Sequence, residues 1–123
     1  MVKNGIYSFK NALDGISWII RTQANFKIQL VLSLLAVLGG IILRISYLEF
    51  LAIIILIGVG LAIETINTAI EEAIDAIHKD WSNEIKIAKD VSAAAMLIFS
   101  LTAFIVAIII FVPKILSLLT NNY

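Results

Sequence analysis

The sequence has little of what a soluble or covalently cross-linked fold contains. It has no cysteine, one proline and one histidine among 123 residues, and only 15% of its residues are charged. The missing cysteines exclude disulfides, thiolate metal sites and a nucleophilic thiol. The charged fraction is well below the roughly 25% of an average soluble domain. A net charge of +0 leaves no overall field for nucleic acid, so no nucleic-acid partner is expected.

Hydrophobic residues take the place of charge, at 61% of the chain with a mean hydropathy of +1.03. Three stretches contain no charged side chain, and they cover residues 28–43, 50–63 and 91–112. A helix needs about 20 apolar residues to cross a bilayer. Extending the first two stretches to their polar flanks predicts a single domain over 1–123, with membrane-spanning helices at about 25–43, 46–65 and 91–112. Pro113 is expected to end the third helix, because proline cannot donate the next backbone hydrogen bond.

The segment before the first span, about 5–21, has the pattern of a helix on a membrane surface. Its apolar residues recur at alternating spacings of three and four, as Ile6, Phe9, Leu13, Ile16 and Ile20. Trp18 suits the depth of the lipid headgroups. Asp14 and Arg21 interrupt the pattern of a cleaved signal peptide, so this segment is expected to be retained.

The positions of the basic residues predict the topology. Most precede the first span or lie between the second and third, as Lys3, Lys10, Arg21, Lys27, Lys79, Lys86 and Lys89. The positive-inside rule then places the N-terminus and the 64–90 region in the cytoplasm of a multi-pass protein of the bacterial plasma membrane.

Polar residues with the spacing of one helix face follow the second span. At about 100° per residue, Glu71 and Asp75 each project within roughly 20° of Glu64, with Asn67 and Thr68 beside them. No lysine or arginine occurs between Arg44 and Lys79, so these carboxylates have no cation on their own helix. Either a metal ion or a lysine from elsewhere is expected to compensate them.

Lys89 is the expected lysine, because the short polar stretch before it lets the third span return beside the carboxylates. Buried carboxylates, a divalent-ion site and a phosphate-binding lysine together suit phosphoryl transfer, in which a carboxylate takes the proton of an acceptor hydroxyl. A proton-coupled transporter would explain only the membrane-embedded Glu64, and an assembly subunit would explain only the small residues after Asp90.

These residues also resemble a known signature. Glu64-x-x-Asn67-x-x-x-Glu71-x-x-x-Asp75, followed by Ala88-Lys89-Asp90, is similar to the motif of the small prokaryotic membrane lipid kinases, the diacylglycerol kinase and undecaprenol kinase family. The resemblance implies a homotrimer of three-span protomers whose sites are shared between subunits at the cytoplasmic surface. It also implies MgATP as donor and a membrane lipid alcohol as acceptor. The Asn25-Phe26 pair resembles Gram-positive members, which favours undecaprenol over the alternative, diacylglycerol.

The resemblance implies a role for each matching residue. Glu64 corresponds to the general base and contacts the lipid, and Glu71 corresponds to a metal ligand. Where the family has a second glutamate ligand this chain has Gln23, an uncharged amide, so weaker magnesium binding is expected. The implied ATP-binding residues are Lys89, Asp90, Glu71, Asp75, Asn67, Asp80, Trp81, Ser82 and Lys10, and the implied lipid contacts are Glu64, Ala93 and Trp18.

Structural roles remain open for several of these residues. Glu64, Asn67 and Glu71 would also suit a polar helix-packing stripe, and Lys89 with Asp90 would suit a helix cap and topology anchor. Lys10 and Trp18 would suit ordinary headgroup contacts, and Trp81 an anchor at the membrane interface.

Overall fold

The computed structural model describes residues 2–121, with side chains from Asn4 onward, and that part of the chain contains helices and no strand. The helices are α1 (Val2–Thr22), α2 (Ala24–Ile42), α3 (Tyr47–Ile77) and α4 (Asn83–Thr120). Three of them, α2, α3 and α4, are long and apolar enough to cross a membrane. The predicted all-α fold with three candidate spans is confirmed. The position of α1 on a membrane surface stays a prediction.

Short breaks with clear local causes separate the first three helices. Only Gln23 separates α1 from α2, in an extended conformation with φ −104°. Arg44, with a left-handed φ of 52°, turns the chain after α2. Ser46 and Glu49 then start α3 with a capping box, in which the Glu49 N–H donates to Ser46 Oγ at 3.2 Å and the Ser46 N–H donates to Glu49 Oε2 at 2.7 Å.

The third helix is continuous from Tyr47 to Ile77. It includes the polar face after the second span, here called the stripe, which consists of Glu64, Asn67, Thr68, Glu71 and Asp75. Its 31 residues span about 46 Å at the α-helical rise, well beyond the roughly 30 Å of a hydrocarbon core. A helix of this length can both span a membrane and carry Glu71 and Asp75 past the end of the span.

The fourth helix begins earlier and ends later than predicted. Ser82 caps it by accepting from the Ile85 N–H at 3.2 Å, so the connection from α3 consists only of residues 78–82. The prediction that Pro113 ends the helix is wrong, because α4 continues through Pro113 to Thr120. Proline removes one backbone hydrogen bond, whereas unwinding in hydrocarbon would leave several backbone groups without partners. Lys114 Nζ lies 3.7 Å from Glu49 Oε2, which ties the segment after the proline to α3.

Helix α3 is central: it packs against α2 on one side and α4 on the other, while α1 packs against α2. Its polar face points inward, since Glu64, Asn67 and Thr68 are buried. Ile55 and Ile66 point outward, with 56% and 60% of their surface exposed. Apolar side chains outside and polar ones inside is the arrangement expected where hydrocarbon surrounds the helices.

Helices α3 and α4 make a tight contact at Gly60, which is buried against Phe99 of α4. A Cβ atom at this position would clash with the Phe99 ring, so the ring can occupy its place only because residue 60 has no side chain. Gly58, two residues earlier, has open space around the same position.

We expect Gly60→Ala to destabilise the helix bundle by about 1–3 kcal/mol, because the Phe99 ring must move aside to make room for the methyl group. Thermal unfolding in detergent measures the effect. Gly58→Ala is the matched control and should not lower the unfolding temperature. Equal unfolding temperatures for the two variants would show that the contact with Phe99 is not tight in solution.

Candidate active site

Glu64 lies at the centre of the candidate site, on the inward face of α3, with only 3% of its surface exposed. No hydrogen bond to its carboxylate occurs among the side chains of residues 4–121. Glu64 instead lines a cavity of about 280 Å³, together with Asn25 and Gln29 of α2 and with Met96 and Ser100 of α4. A ligand in this cavity can therefore contact the carboxylate.

Asn67 lies one turn beyond Glu64 and is held from both sides. The Ser92 hydroxyl on α4 donates to Asn67 Oδ1 at 2.7 Å, and Asn67 Nδ2 donates to Glu71 Oε1 at 3.4 Å. Ser92 was predicted only as a small packing residue. Its buried hydrogen bond makes it a positioning residue for Asn67 and, through Asn67, for Glu71. Only its place on α4 two residues after Asp90 could have indicated this role.

The expected lysine does reach the carboxylates. Lys89 Nζ lies 2.5 Å from Asp75 Oδ1, an ion pair that joins α4 to α3. Lys89 and Asp90 do not pair with each other, because Asp90 binds Lys86 one turn earlier on the same helix, at 2.5 Å. The ends of both ion pairs are substantially exposed, so solvent or a ligand can reach them. Each such pair contributes little to stability and exchanges partners easily.

The predicted metal site has fewer potential ligands close together than the carboxylates of α3 suggested. Within residues 4–121, no group of three or more His, Cys, Asp or Glu side chains could hold a metal ion. Glu71 is half-buried, and Gln23 donates from Nε2 to the neighbouring Thr22 Oγ1 at 3.3 Å. No contact joins Gln23 to Glu71 within the described part of the chain. One carboxylate is still sufficient for magnesium when substrate phosphates and water supply the other ligands.

The remaining predicted site residues lie on the connection after α3, on α4 and on α1. Ser82 caps α4, and Trp81 beside it is 78% exposed on the connection between α3 and α4. Ala93 follows Ser92 on α4 and is exposed. Lys10 and Trp18 are exposed on α1, and no hydrogen bond or ion pair within residues 4–121 connects either side chain to the stripe.

A second and larger cavity, of about 390 Å³, continues from the first toward the middle of the bundle. The two cavities share Gln29, Leu32 and Ser100, so they adjoin each other between α2 and α4 over the surface of α3, and together they are called the groove. The larger cavity is mostly apolar and extends along α3 from Gly60 to Ile53. The groove therefore offers a carboxylate at one end and a hydrocarbon environment along the rest.

Comparison with known proteins gives consistent matches. The model of the prokaryotic diacylglycerol kinase family matches residues 10–111. An undecaprenol kinase from Bacillus subtilis (strain 168) is 34% identical over 107 residues, which cover 87% of this chain and 87% of the relative. A diacylglycerol kinase from Synechocystis is 28% identical over 117 residues, which cover 94% of this chain and 67% of the relative. A diacylglycerol kinase from Sinorhizobium is 35% identical over 75 residues, or 61% of this chain and 55% of the relative.

The family match contains every residue of the stripe and both ion pairs at the start of α4. Three candidate membrane spans and a groove that leads from a carboxylate into an apolar interior are what an enzyme acting on a membrane lipid needs. The chain therefore belongs to the prokaryotic diacylglycerol kinase family and is a membrane lipid kinase with ATP as its phosphate donor.

Proposed function

We propose that this protein phosphorylates the hydroxyl group of undecaprenol at the cytoplasmic face of the plasma membrane. The observation that carries the proposal is the buried Glu64 at one end of an apolar groove, with the Lys89–Asp75 pair about three turns further along the same face of α3. The 34% identity to a Bacillus undecaprenol kinase over most of both chains supports undecaprenol as the acceptor. Diacylglycerol is the second candidate, since two other similar relatives are diacylglycerol kinases.

The reaction needs a base at the acceptor and positive charge at the donor. The lipid hydroxyl oxygen attacks the γ-phosphorus of ATP, its proton passes to the Glu64 carboxylate, and the bond from phosphorus to the oxygen of ADP breaks. Glu64 suits this role because it faces a cavity and accepts no hydrogen bond from a side chain of residues 4–121. The products are the lipid phosphate and ADP.

The phosphates of ATP are proposed to bind near the start of α4. Lys89 exchanges its Asp75 partner for the phosphates of ATP, which costs little because that ion pair is exposed to solvent. Asn67, fixed by Ser92, presents its amide beside Glu71. Asp80 and Trp81 lie on the connection that faces the same side, where the nucleotide would be bound.

Magnesium is the proposed cofactor, and when bound it neutralises the phosphates. Glu71 supplies the charged ligand of this chain, and Gln23 is proposed to add an amide oxygen. In a homotrimer with sites shared between subunits, the two ligands need not come from one protomer, which is compatible with their separation within a single chain. A larger assembly is also needed because three helices alone cannot enclose both nucleotide and lipid. The N-terminus and residues 78–82 are proposed to face the cytoplasm, with α1 on the membrane surface.

Gln23→Glu should lower the magnesium concentration needed for half-maximal activity, because a carboxylate binds a hard divalent cation more strongly than an amide. A magnesium titration of the purified variant against the unmodified protein measures the shift. Glu71→Gln should move the requirement in the opposite direction or abolish activity. An unchanged titration curve for Gln23→Glu would mean that residue 23 only separates α1 from α2 and does not bind the ion.

The proposed function is tested by incubating the purified protein in detergent with labelled ATP and either undecaprenol or diacylglycerol. We expect labelled undecaprenyl phosphate with the higher kcat/KM. Higher kcat/KM for diacylglycerol would make the second candidate the function. Failure to label either lipid in the presence of magnesium would exclude both.

A further inference from the structure

The side chain of Gln29 is a polar group in the groove that the proposed mechanism does not use. It extends from α2, within a candidate membrane span, and lines both the cavity beside Glu64 and the larger apolar cavity. Its amide has two N–H donors and one carbonyl acceptor. The one hydrogen bond that it makes within residues 4–121 runs from Nε2 to the sulfur of Met96, at 3.7 Å.

A thioether sulfur is a weak acceptor, so this contact leaves much of the hydrogen-bonding capacity of the amide unused. In a hydrocarbon environment an amide without a good partner costs free energy, because no water is present to replace it. Ser100 lines the same two cavities from α4, but no hydrogen bond connects its side chain to Gln29 in the described part of the chain. A molecule that occupies the groove can supply a better partner for Gln29, because the side chain lines both cavities.

The two candidate acceptors differ at this position. A lipid hydroxyl at Glu64 places the next few bonds of the same molecule beside Gln29, since both side chains line one cavity of about 280 Å³. In diacylglycerol those bonds include ester carbonyls, which are strong hydrogen-bond acceptors. In a polyprenol they are hydrocarbon and offer Gln29 nothing to bind.

Building on the proposed function, we propose that Gln29 is a specificity-determining residue. Its amide donates a hydrogen bond to an ester carbonyl of a glyceride acceptor and thereby sets how the enzyme divides its activity between glycerides and polyprenols. With a polyprenol in the groove, the amide keeps its weak contact with Met96. Gln29 takes no part in proton transfer or in binding ATP.

The test compares kcat/KM for dioleoylglycerol and for undecaprenol, at saturating MgATP, in the unmodified protein and in Gln29→Leu and Gln29→Met. The second variant keeps the length of the side chain and covers the case in which leucine disturbs folding. We expect the diacylglycerol-to-undecaprenol ratio to fall about tenfold in both variants, the effect of one lost hydrogen bond. Thr102→Val is the control: Thr102 lines neither cavity, and its hydroxyl bonds its own helix at Ile98 O, 2.9 Å away.

If one lipid is not turned over, its inhibition constant against the other lipid is compared among the variants, and for diacylglycerol we expect it to rise about tenfold. A ratio that changes less than about twofold, or equal losses with both lipids, would overturn the role of Gln29 while leaving the lipid kinase function intact. If the unmodified protein neither phosphorylates nor binds either lipid, the proposed function fails first, and the role of Gln29 fails with it.

Discussion

Replacing Glu64 by glutamine should reduce phosphate transfer by about 10² to 10⁴-fold, the usual contribution of a general base. Glutamine has the shape of glutamate but cannot accept the proton that the lipid hydroxyl must lose. The loss should fall on kcat for every acceptor lipid and leave the affinity for ATP nearly unchanged, since Glu64 faces the cavity on the lipid side of the stripe. Single-turnover transfer from labelled ATP measures it.

Glu72→Gln provides the matched control for this experiment. Glu72 lies on the same helix, is exposed and belongs to no part of the proposed site. Its substitution should leave transfer unchanged, and circular dichroism should show the same helix content for both variants. Near-normal turnover by a folded Glu64→Gln protein would remove Glu64 from the role of base.

Lys89→Ala should raise the KM for ATP about 10-fold to 100-fold, with a much smaller change in the KM for the lipid. Charge-assisted hydrogen bonds contribute about 1.5–3 kcal/mol, and each 1.4 kcal/mol corresponds to a factor of ten. The substitution also leaves Asp75 without its cation, and that carboxylate then repels the phosphates. Initial rates over a range of ATP concentrations, at saturating lipid, give the value.

Lys86→Ala removes the same charge one turn earlier on α4, where Lys86 pairs with Asp90 and not with the stripe on α3. We expect a change in the KM for ATP that is several times smaller than with Lys89→Ala. The assignment is wrong if Lys89→Ala changes only the lipid KM, or if the two lysine variants behave alike.

Much of the fold followed from the sequence because a bilayer imposes simple requirements. Uncharged stretches of sufficient length predicted α2, α3 and α4, and the rotation of 100° per residue predicted one polar face on α3. The approach of Lys89 followed from charge balance and from the shortness of the connection after Ile77. These features depend on composition and periodicity, which a single chain displays directly.

Other features depend on contacts between helices, and a sequence does not specify these. The continuation of α4 through Pro113 reflects the cost of exposing backbone groups to hydrocarbon, which outweighs the local effect of proline. The hydrogen bond from Ser92 to Asn67 needs the rotational setting of α4 against α3, and the position of Gln29 in the groove needs that of α2. The choice of Asp75 and not Asp90 as the partner of Lys89 has the same origin.

The continuity of α3 makes the site sensitive to the thickness of the surrounding bilayer. One uninterrupted helix joins the capped end at Ser46 to Glu64 and then to Glu71, so the separation of the two carboxylates along the axis stays at about 10 Å. When the membrane is thinner or thicker than the span, the helices tilt or the bilayer changes its thickness around the protein. Each response costs a modest free energy per ångström of mismatch. Tilting moves Glu64 relative to the plane of the lipid hydroxyls, whereas its separation from Glu71 on the same helix stays fixed. Acyl-chain length in the host membrane would thus tune the lipid half of the reaction independently of the ATP half.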